Sequence, residues 1–246
     1  MTHNLIADTI SLTGHDGDEI EAYLAQPTDV DKIGSIVVIH HMPGYDDETK
    51  EICRKFAAHG YNALMPNLYS REAPGASPDD AAATVRAAGG VPDDRLVGDV
   101  DAAMQRLKSL ANANGKVASI GHCSGGRQSF LAGCRLPLDA VIDCYGAFVT
   151  VDTPPDRPFA MKAVVDEAPN LSGPLLGLFG ADDQFPSPEQ TETLDQALNN
   201  AGKEHEFHTY EGAGHAFFWV TRPSYRPETA TEAWEVIFDF LARTIA

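Results

Sequence analysis

Basic residues are scarce in this chain of 246 residues. Its 18 Lys and Arg stand against 36 Asp and Glu, which gives a formal net charge of −18. Nucleic acids and anionic membranes are bound through clusters of basic side chains, so the shortage argues against both as partners. An anionic small molecule would need a cationic residue at its binding site, because the overall field of the protein repels it.

Long apolar runs and paired cysteines are missing as well. The longest aliphatic run, Ile36–Ile39, is far too short to cross a bilayer, and the first ten residues lack the basic and apolar segments of a signal peptide. We therefore expect a soluble, cytoplasmic protein. None of the four cysteines has the C-x-x-C spacing of a zinc site, and a reducing cytosol disfavours disulfides, so free thiols are expected.

The chain does have a regular alternation of short apolar runs and longer amphipathic stretches. The runs IVVI, NALM, KVASI, AVIDCY and LLGLF are apolar on both faces, as buried parallel strands are. The stretches between them follow helical spacing, and Ser187-Pro188-Glu189-Gln190 has the pattern of a capped helix start. Near the N-terminus, alternating segments on either side of a Gly-His-Asp-Gly turn predict a hairpin.

This alternation predicts an α/β fold with a doubly wound, mostly parallel sheet and helices on both faces. Residues 1–246 contain no repeat or long linker, so we expect a single domain that begins with the N-terminal hairpin. The Ala-, Pro- and Gly-rich stretch Glu72–Pro92 is the one candidate insertion. It is too short for a second domain, so no large cap domain is expected.

The stretch IGHCSGGRQ has the pattern of a nucleophile elbow, the tight turn that carries the nucleophile between a strand and a helix. The turn requires a glycine two residues before and two residues after the nucleophile. Centring the pattern on Cys123 places Gly121 and Gly125 at these positions, whereas centring it on Ser124 places His122 at the first. The register therefore favours Cys123 as the nucleophile. The alternative is a buried structural cysteine in a glycine-rich turn.

Candidates for an acid and a base follow in the chain. In α/β-hydrolases the order is nucleophile, acid, histidine. The run LLGLFG is followed by Asp182 and Asp183, and the later strand EFHTY leads into a glycine-rich loop with His215. Both candidates lie just past strand ends, where α/β folds place their sites. The alternatives are a solvated or capping role for one carboxylate and a surface position for the histidine.

Three motifs together resemble the dienelactone hydrolases, small α/β-hydrolases with a cysteine nucleophile. They are G-H-C-S-G-G, G-A-D-D-x-F and Y-E-G-A-G-H, and the likeness extends to LMPNLYSREAPG and the C-terminal helix. The resemblance implies that Cys123 is the nucleophile, Asp183 the acid and His215 the base. It also implies that the backbone N–H groups of Ser124 and Met42 form the oxyanion hole.

One departure from the family pattern precedes the second oxyanion donor. The family enzyme that hydrolyses dienelactone has a glutamate there, which helps to switch the cysteine between thiol and thiolate, and this chain has His41. A protonated His41 could stabilise a standing thiolate, or the side chain could hold its loop by hydrogen bonds. We favour the second role.

A second departure concerns the substrate. The family enzyme binds a carboxylate with two arginines; Arg71 matches the first, but Trp219 falls at the position of the second. Arg71 and Trp219 are therefore substrate-binding candidates, and the replacement of an arginine by Trp219 implies a pocket more apolar than that of the family enzyme. Tyr145, which follows the strand AVIDC, is a further candidate. The alternative for Arg71 is a surface ion pair with a neighbour such as Glu72.

These expectations combine into hydrolysis of a lactone or activated carboxylic ester by a Cys-His-Asp triad, through a thioester acyl-enzyme. The partner would be a small-molecule ester or lactone, with or without a carboxylate, and no metal or organic cofactor would be needed. Alternatives are a thioesterase or other hydrolase on the same scaffold, and a non-catalytic ligand-binding or thiol-sensing protein. The sequence leaves the oligomeric state open and is compatible with a monomer.

Overall fold

The structure is a computed structural model that describes residues 3–157 and 159–246. In these residues eight strands form one sheet, in the order β1-β2-β4-β3-β5-β6-β7-β8. The strands β3 to β8 run parallel to one another, whereas β2 is antiparallel to both β1 and β4. The strands are β1 (Leu5–Thr13), β2 (Glu19–Pro27), β3 (Ile33–Ile39), β4 (Asn62–Pro66), β5 (Ala113–His122), β6 (Ala140–Cys144), β7 (Leu175–Gly180) and β8 (His205–Tyr210).

Helices cover both faces of this sheet. Helices α2 to α5 pack with one apolar cluster, while α1 and α6 pack with a second cluster on the opposite face. Neighbouring residues of β3 alternate between the clusters, with Val37 in the first and Ile36 and Val38 in the second. The helices are α1 (Asp47–Ala58), α2 (Pro78–Ala87), α3 (Asp93–Lys108), α4 (Ser124–Arg135), α5 (Pro188–Asn200) and α6 (Pro227–Thr244).

The predicted doubly wound α/β fold and its N-terminal hairpin are therefore confirmed. The hairpin is β1 and β2, joined by a short 3₁₀ turn at His15–Gly17. The predicted cap of α5 is also present, since Ser187 accepts from the Gln190 backbone while the Gln190 side chain accepts from the Ser187 backbone. None of the helices in the described parts of the chain is long and apolar enough to cross a membrane.

The strand order brings the predicted motifs to one edge of the sheet. Strands β3, β5, β6, β7 and β8 are consecutive neighbours and parallel, so the loops that follow them share the carboxyl edge. In α/β sheets ligands bind at this edge. The loops after β3, β5, β7 and β8 contain Met42, Cys123, Asp183 and His215, respectively.

Candidate active site

The turn between β5 and α4 forces Cys123 into a strained conformation. Its backbone lies at φ 57° and ψ −121°, a region that non-glycine residues rarely adopt. A Cβ atom at Gly121 would overlap the carbonyl oxygen of Gly125, and one at Gly125 would overlap the carbonyl oxygen of Ile39. Both positions therefore require glycine, and the register of the turn has Cys123 at its corner.

The loops after β7 and β8 bring a carboxylate and an imidazole together. Asp183 is buried, and its Oδ2 accepts a hydrogen bond of 2.8 Å from Nδ1 of His215. Its other oxygen accepts the backbone N–H of Phe185 at 2.9 Å, which fixes the carboxylate plane. The neighbouring Asp182 is exposed and makes no such contact among the described residues. The histidine thus pairs with the second of the two adjacent aspartates.

His215 also lies beside Cys123. Burial by itself lowers the pKa of His215, but interactions with the Asp183 carboxylate and with Cys123 raise it to about 10. The N-terminal, positive end of α4 also lies at the cysteine, because the helix begins at the next residue. The arrangement therefore places an imidazole, held in position by a buried carboxylate, beside the thiol of Cys123.

Two cavities open at this site. One of about 460 Å³ is lined by Cys123, His215 and Asp183, and we call it the histidine-side cavity. The other, of about 290 Å³, is lined by Met42 and Ser124, and we call it the oxyanion-side cavity. Ser124 is the first residue of α4, so its backbone N–H has no acceptor within the helix. Among the described residues, no group of three or more His, Cys, Asp or Glu side chains is arranged to hold a metal ion.

The model of the dienelactone hydrolase family matches residues 20–245 of this chain. The chain belongs to the dienelactone hydrolase family. It is 34% identical over 237 residues to a Salmonella typhimurium protein named "Putative carboxymethylenebutenolidase", which covers 92% of this chain and 84% of the relative. A Methylorubrum extorquens protein of the same name is 33% identical over 241 residues and covers 97% of this chain and 81% of the relative.

A solved structure agrees with these matches. The crystal structure titled "Putative Dienelactone Hydrolase" from Klebsiella pneumoniae is 28% identical and superposes with a TM-score of 0.85, covering 98% of this chain and 99% of that one. The α/β-hydrolase fold and the predicted family are thus confirmed, and the chain is a hydrolase of the dienelactone hydrolase class.

In this dienelactone hydrolase family member, His41 is held by neighbours on two sides. It is buried, its Nε2 donates to Oδ2 of Asp46 at 2.7 Å, and its ring stacks on Trp219 with centroids 3.9 Å apart. Asp46 in turn caps α1 by accepting from the Thr49 backbone at 2.8 Å. Burial by itself raises the pKa of Asp46. The hydrogen bond and charge of His41 outweigh this effect, so the net pKa lies below the usual value. These contacts agree with the loop-holding role favoured for His41.

Arg71 lies outside both cavities of this family member. Its NH1 and NH2 groups donate to the buried carboxylate of Asp99 at 2.8 and 2.9 Å, and its Nε donates to Asp18 at 2.7 Å. Glu72, the neighbour considered as its partner, is paired instead with Arg95 at 2.6 Å. With its guanidinium bound between two aspartates, Arg71 is not brought to the cysteine, in contrast to the expectation from the resemblance.

The two aromatic candidates also lie behind the cavities. Trp219 is buried against His41, and the cavity that it does line, beside α1 and α6, contains neither Cys123 nor His215. Tyr145 is fully buried, and its ring packs edge-on against His215 with centroids 5.1 Å apart. Neither residue lines the histidine-side or the oxyanion-side cavity. Their positions suit support of His41 and His215 rather than contact with a substrate.

Residues that do line the histidine-side cavity were missed by the sequence analysis. Phe148, Phe159 and Phe185 contribute aromatic rings, and Arg157 lies over the Phe185 ring with its guanidinium carbon 5.7 Å from the centroid. All four residues lie in loops, and no spacing pattern in the sequence connects them. The Pro-rich context of Arg157 was the one available signal, since such segments cross the surface as loops.

A buried carboxylate was missed as well. Asp143 of β6 is fully buried, and its Oδ1 accepts the backbone N–H of Gly146 at 2.7 Å. Burial raises the pKa of Asp143 to about 7, against the lowering effect of this hydrogen bond. A Cβ at Gly126 or at Gly146 would overlap the Asp143 carboxylate, so this side chain lies between α4 and the loop after β6. Its burial could not be predicted from the sequence, because the run AVIDCY has the pattern of an ordinary buried strand.

Proposed function

We propose that this protein hydrolyses activated carboxylic esters or lactones by two-step acyl transfer through Cys123. The observation that supports the proposal most is the common position of Cys123 and the Asp183-bonded His215 on one cavity, with the cysteine at the strained corner of the turn. A nucleophile beside a base that is itself oriented by a third group is the arrangement that acyl transfer requires.

In the first step the Cys123 thiolate attacks the carbonyl carbon, and the carbonyl oxygen becomes an oxyanion. The backbone N–H groups of Ser124 and Met42 donate to it; in comparable sites each donor lowers the barrier by roughly 3 kcal/mol. The bond to the leaving oxygen then breaks, and that oxygen takes the proton from His215. The product is a thioester on Cys123 and an alcohol, which is released from an ester but stays on the acyl chain when the substrate is a lactone.

In the second step water opens the thioester. His215, now neutral, takes a proton from the water, and the water oxygen attacks the thioester carbonyl. The carbon–sulfur bond breaks, the acid is released, and Cys123 leaves as the thiolate that pairs again with the imidazolium. Asp183 keeps its hydrogen bond to Nδ1 throughout and stabilises the charged ring. The scheme uses no metal or organic cofactor.

The substrate in this proposal is a small activated ester or lactone. A thiolate acylates best when the leaving group is good, as in enol-lactones, aryl esters and thioesters. Arg71 is bound to Asp99 and Asp18, and Trp219 stands where the family enzyme has its second arginine, so the paired-arginine clamp for dienelactone is not available. We therefore propose an ester or lactone that does not depend on that clamp.

The test is hydrolysis of phenyl acetate by Cys123→Ala, with Cys134→Ala as the matched control. Cys134 is also a thiol of α4, but it is buried and lies at the opposite end of the helix from the turn. The proposal expects activity to disappear in the first variant and to survive in the second. Intact-protein mass spectrometry should show a transient acetyl group on Cys123 in the unmodified protein. Full activity of Cys123→Ala would refute the mechanism, and a permanent adduct without turnover would indicate a thiol-sensing protein.

A further inference from the structure

The two cavities at the site meet at a single side chain. Within the described residues, Phe159 is the one residue that lines both the histidine-side cavity and the oxyanion-side cavity. Cys123 and His215 lie on the first side of it, and Met42 and Ser124 lie on the second. Phe159 therefore lies between the space at Cys123 and the space at Ser124.

The chemistry decides which half of the substrate takes which space. At the tetrahedral stage the reacting carbon holds the sulfur, the oxyanion, the leaving oxygen and the acyl chain. The leaving oxygen must face His215, because it receives its proton there, and His215 belongs to the histidine-side cavity. The oxyanion faces Ser124 and Met42 of the other cavity. Because the leaving group occupies the histidine-side cavity, the acyl chain extends into the oxyanion-side cavity.

We infer that the histidine-side cavity is a leaving-group subsite for aromatic alcohols and that the oxyanion-side cavity is a separate subsite for a short acyl chain, with Phe159 between them. This inference rests on the proposed function. The aromatic class follows from the lining: the rings of Phe148 and Phe185 are 5.3 Å apart between centroids, and those of Phe148 and Phe159 are 6.3 Å apart. Rings at these separations contact one another, so the three form one aromatic surface, on which a further planar ring can pack by stacking or edge contact.

The charges at this cavity nearly cancel. Arg157 contributes a positive charge and the exposed Asp182 a negative one, while Asp183 is paired with His215. The aromatic surface, rather than net charge, therefore selects the leaving group. An aryl alcohol also leaves readily, since a phenol has a pKa of about 10. The recognition surface and the need of a cysteine for a good leaving group thus favour the same substrate class.

The acyl subsite has a different lining. Val85 of α2 and Tyr69 lie on its apolar side, and the ion pair of Arg127 with Asp93, at 2.8 Å, lies on its polar side. Its volume of about 290 Å³ is smaller than the 460 Å³ of the other cavity. The exposed Ala88, just after α2, also lines it and offers a position at which the space can be reduced without disturbing the core.

The experiment compares two variants on two substrate series. Phe185→Leu removes one ring of the leaving-group subsite and keeps the backbone N–H that holds Asp183, whereas Ala88→Phe fills the acyl subsite. One series is phenyl acetate against an alkyl thioacetate, whose thiol leaving group is similarly activated but not aromatic. The other series is phenyl esters of acetate, butyrate and hexanoate.

We expect Phe185→Leu to lower kcat/KM about fivefold for phenyl acetate, to leave the alkyl thioacetate unchanged, and to leave hydrolysis of acetyl-Cys123 unchanged. Ala88→Phe should lower both formation and hydrolysis of the acyl-enzyme for butyrate and hexanoate, about tenfold, and leave acetate unaffected. Equal losses on the two acetates, or chain-length sensitivity in Phe185→Leu instead of Ala88→Phe, would overturn the assignment. Absence of any acyl-Cys123 in the unmodified protein would instead refute the proposed function.

Discussion

The catalytic turn and the substrate cavities differ in how the chain builds them. Cys123 is placed mainly by its own turn, because a Cβ at Gly121 would overlap the Gly125 carbonyl oxygen where β5 turns directly into α4. The cavities are lined by segments that are distant in sequence, and Phe159 meets the catalytic residues only in the folded chain. Local geometry thus fixes the nucleophile, while tertiary packing brings His215 and Asp183 to it and forms the cavities. The two regions should respond differently to mutation.

The largest effect is expected in the catalytic region, from Asp183→Asn. The amide cannot stabilise the imidazolium as the carboxylate does, and it can hold His215 in the wrong tautomer, which costs about 10⁴-fold in kcat in a comparable triad. Hydrolysis of phenyl acetate should fall by a similar order. The control is Asp182→Asn, which alters the adjacent, exposed carboxylate. Equal activity in the two variants would show that Asp183 does not orient the base.

A large loss of stability is expected from Gly121→Ala. The added Cβ would overlap the Gly125 carbonyl oxygen, so either the turn must open or the protein does not fold, at a cost of at least about 4 kcal/mol. Gly115→Ala is the matched change earlier in β5, where a Cβ meets open space but φ is +91°. It should cost only about 1–2 kcal/mol. Urea unfolding measures both, and similar values would mean that the turn tolerates a side chain.

The Arg71 site provides the opposite test, a large change in stability with little change in chemistry. Arg71→Gln leaves the fully buried Asp99 without its cation, which should cost about 3 kcal/mol in the free energy of unfolding. The value of kcat/KM for phenyl acetate should stay within about twofold. Adding Asp99→Asn should restore part of the lost stability. A selective loss of kcat/KM, with unfolding unchanged, would return Arg71 to the list of substrate-binding residues.

The same division decides what could be predicted from the sequence. Three features have sequence patterns that span only a few residues: the glycine spacing around Cys123, the capping box at Ser187 and the alternating segments of the hairpin. Each has the predicted form in the structure. The partner of Arg71 could not be predicted in this way. Asp99 lies on α3, and its approach to Arg71 depends on how that helix packs beside the turn at residues 15–17.

Trp219 illustrates the same limit within the predicted site. Alignment with the family placed it where an arginine contacts the substrate, but the side chain stacks on His41 of another loop. The stacking is possible because His41 is itself oriented by Asp46 at the start of α1. A motif position shows where the backbone passes, whereas the direction of the side chain depends on a partner that the motif does not include.

The smallest expected effect concerns charge at the mouth of the histidine-side cavity. It tests whether the leaving group lies beside Arg157. Arg157→Gln should lower kcat/KM for 4-acetoxybenzoate relative to phenyl acetate, because the leaving group then carries a carboxylate that has lost its cation. Asp182→Asn should change the same ratio in the opposite direction. Each shift should be at most about fivefold, since exposed charge pairs contribute about 0.2–1 kcal/mol, and both should shrink as salt is added. If neither variant changes the ratio, the carboxylate-bearing ring does not lie beside Arg157, and the leaving group must be bound elsewhere along the Phe148–Phe185 surface.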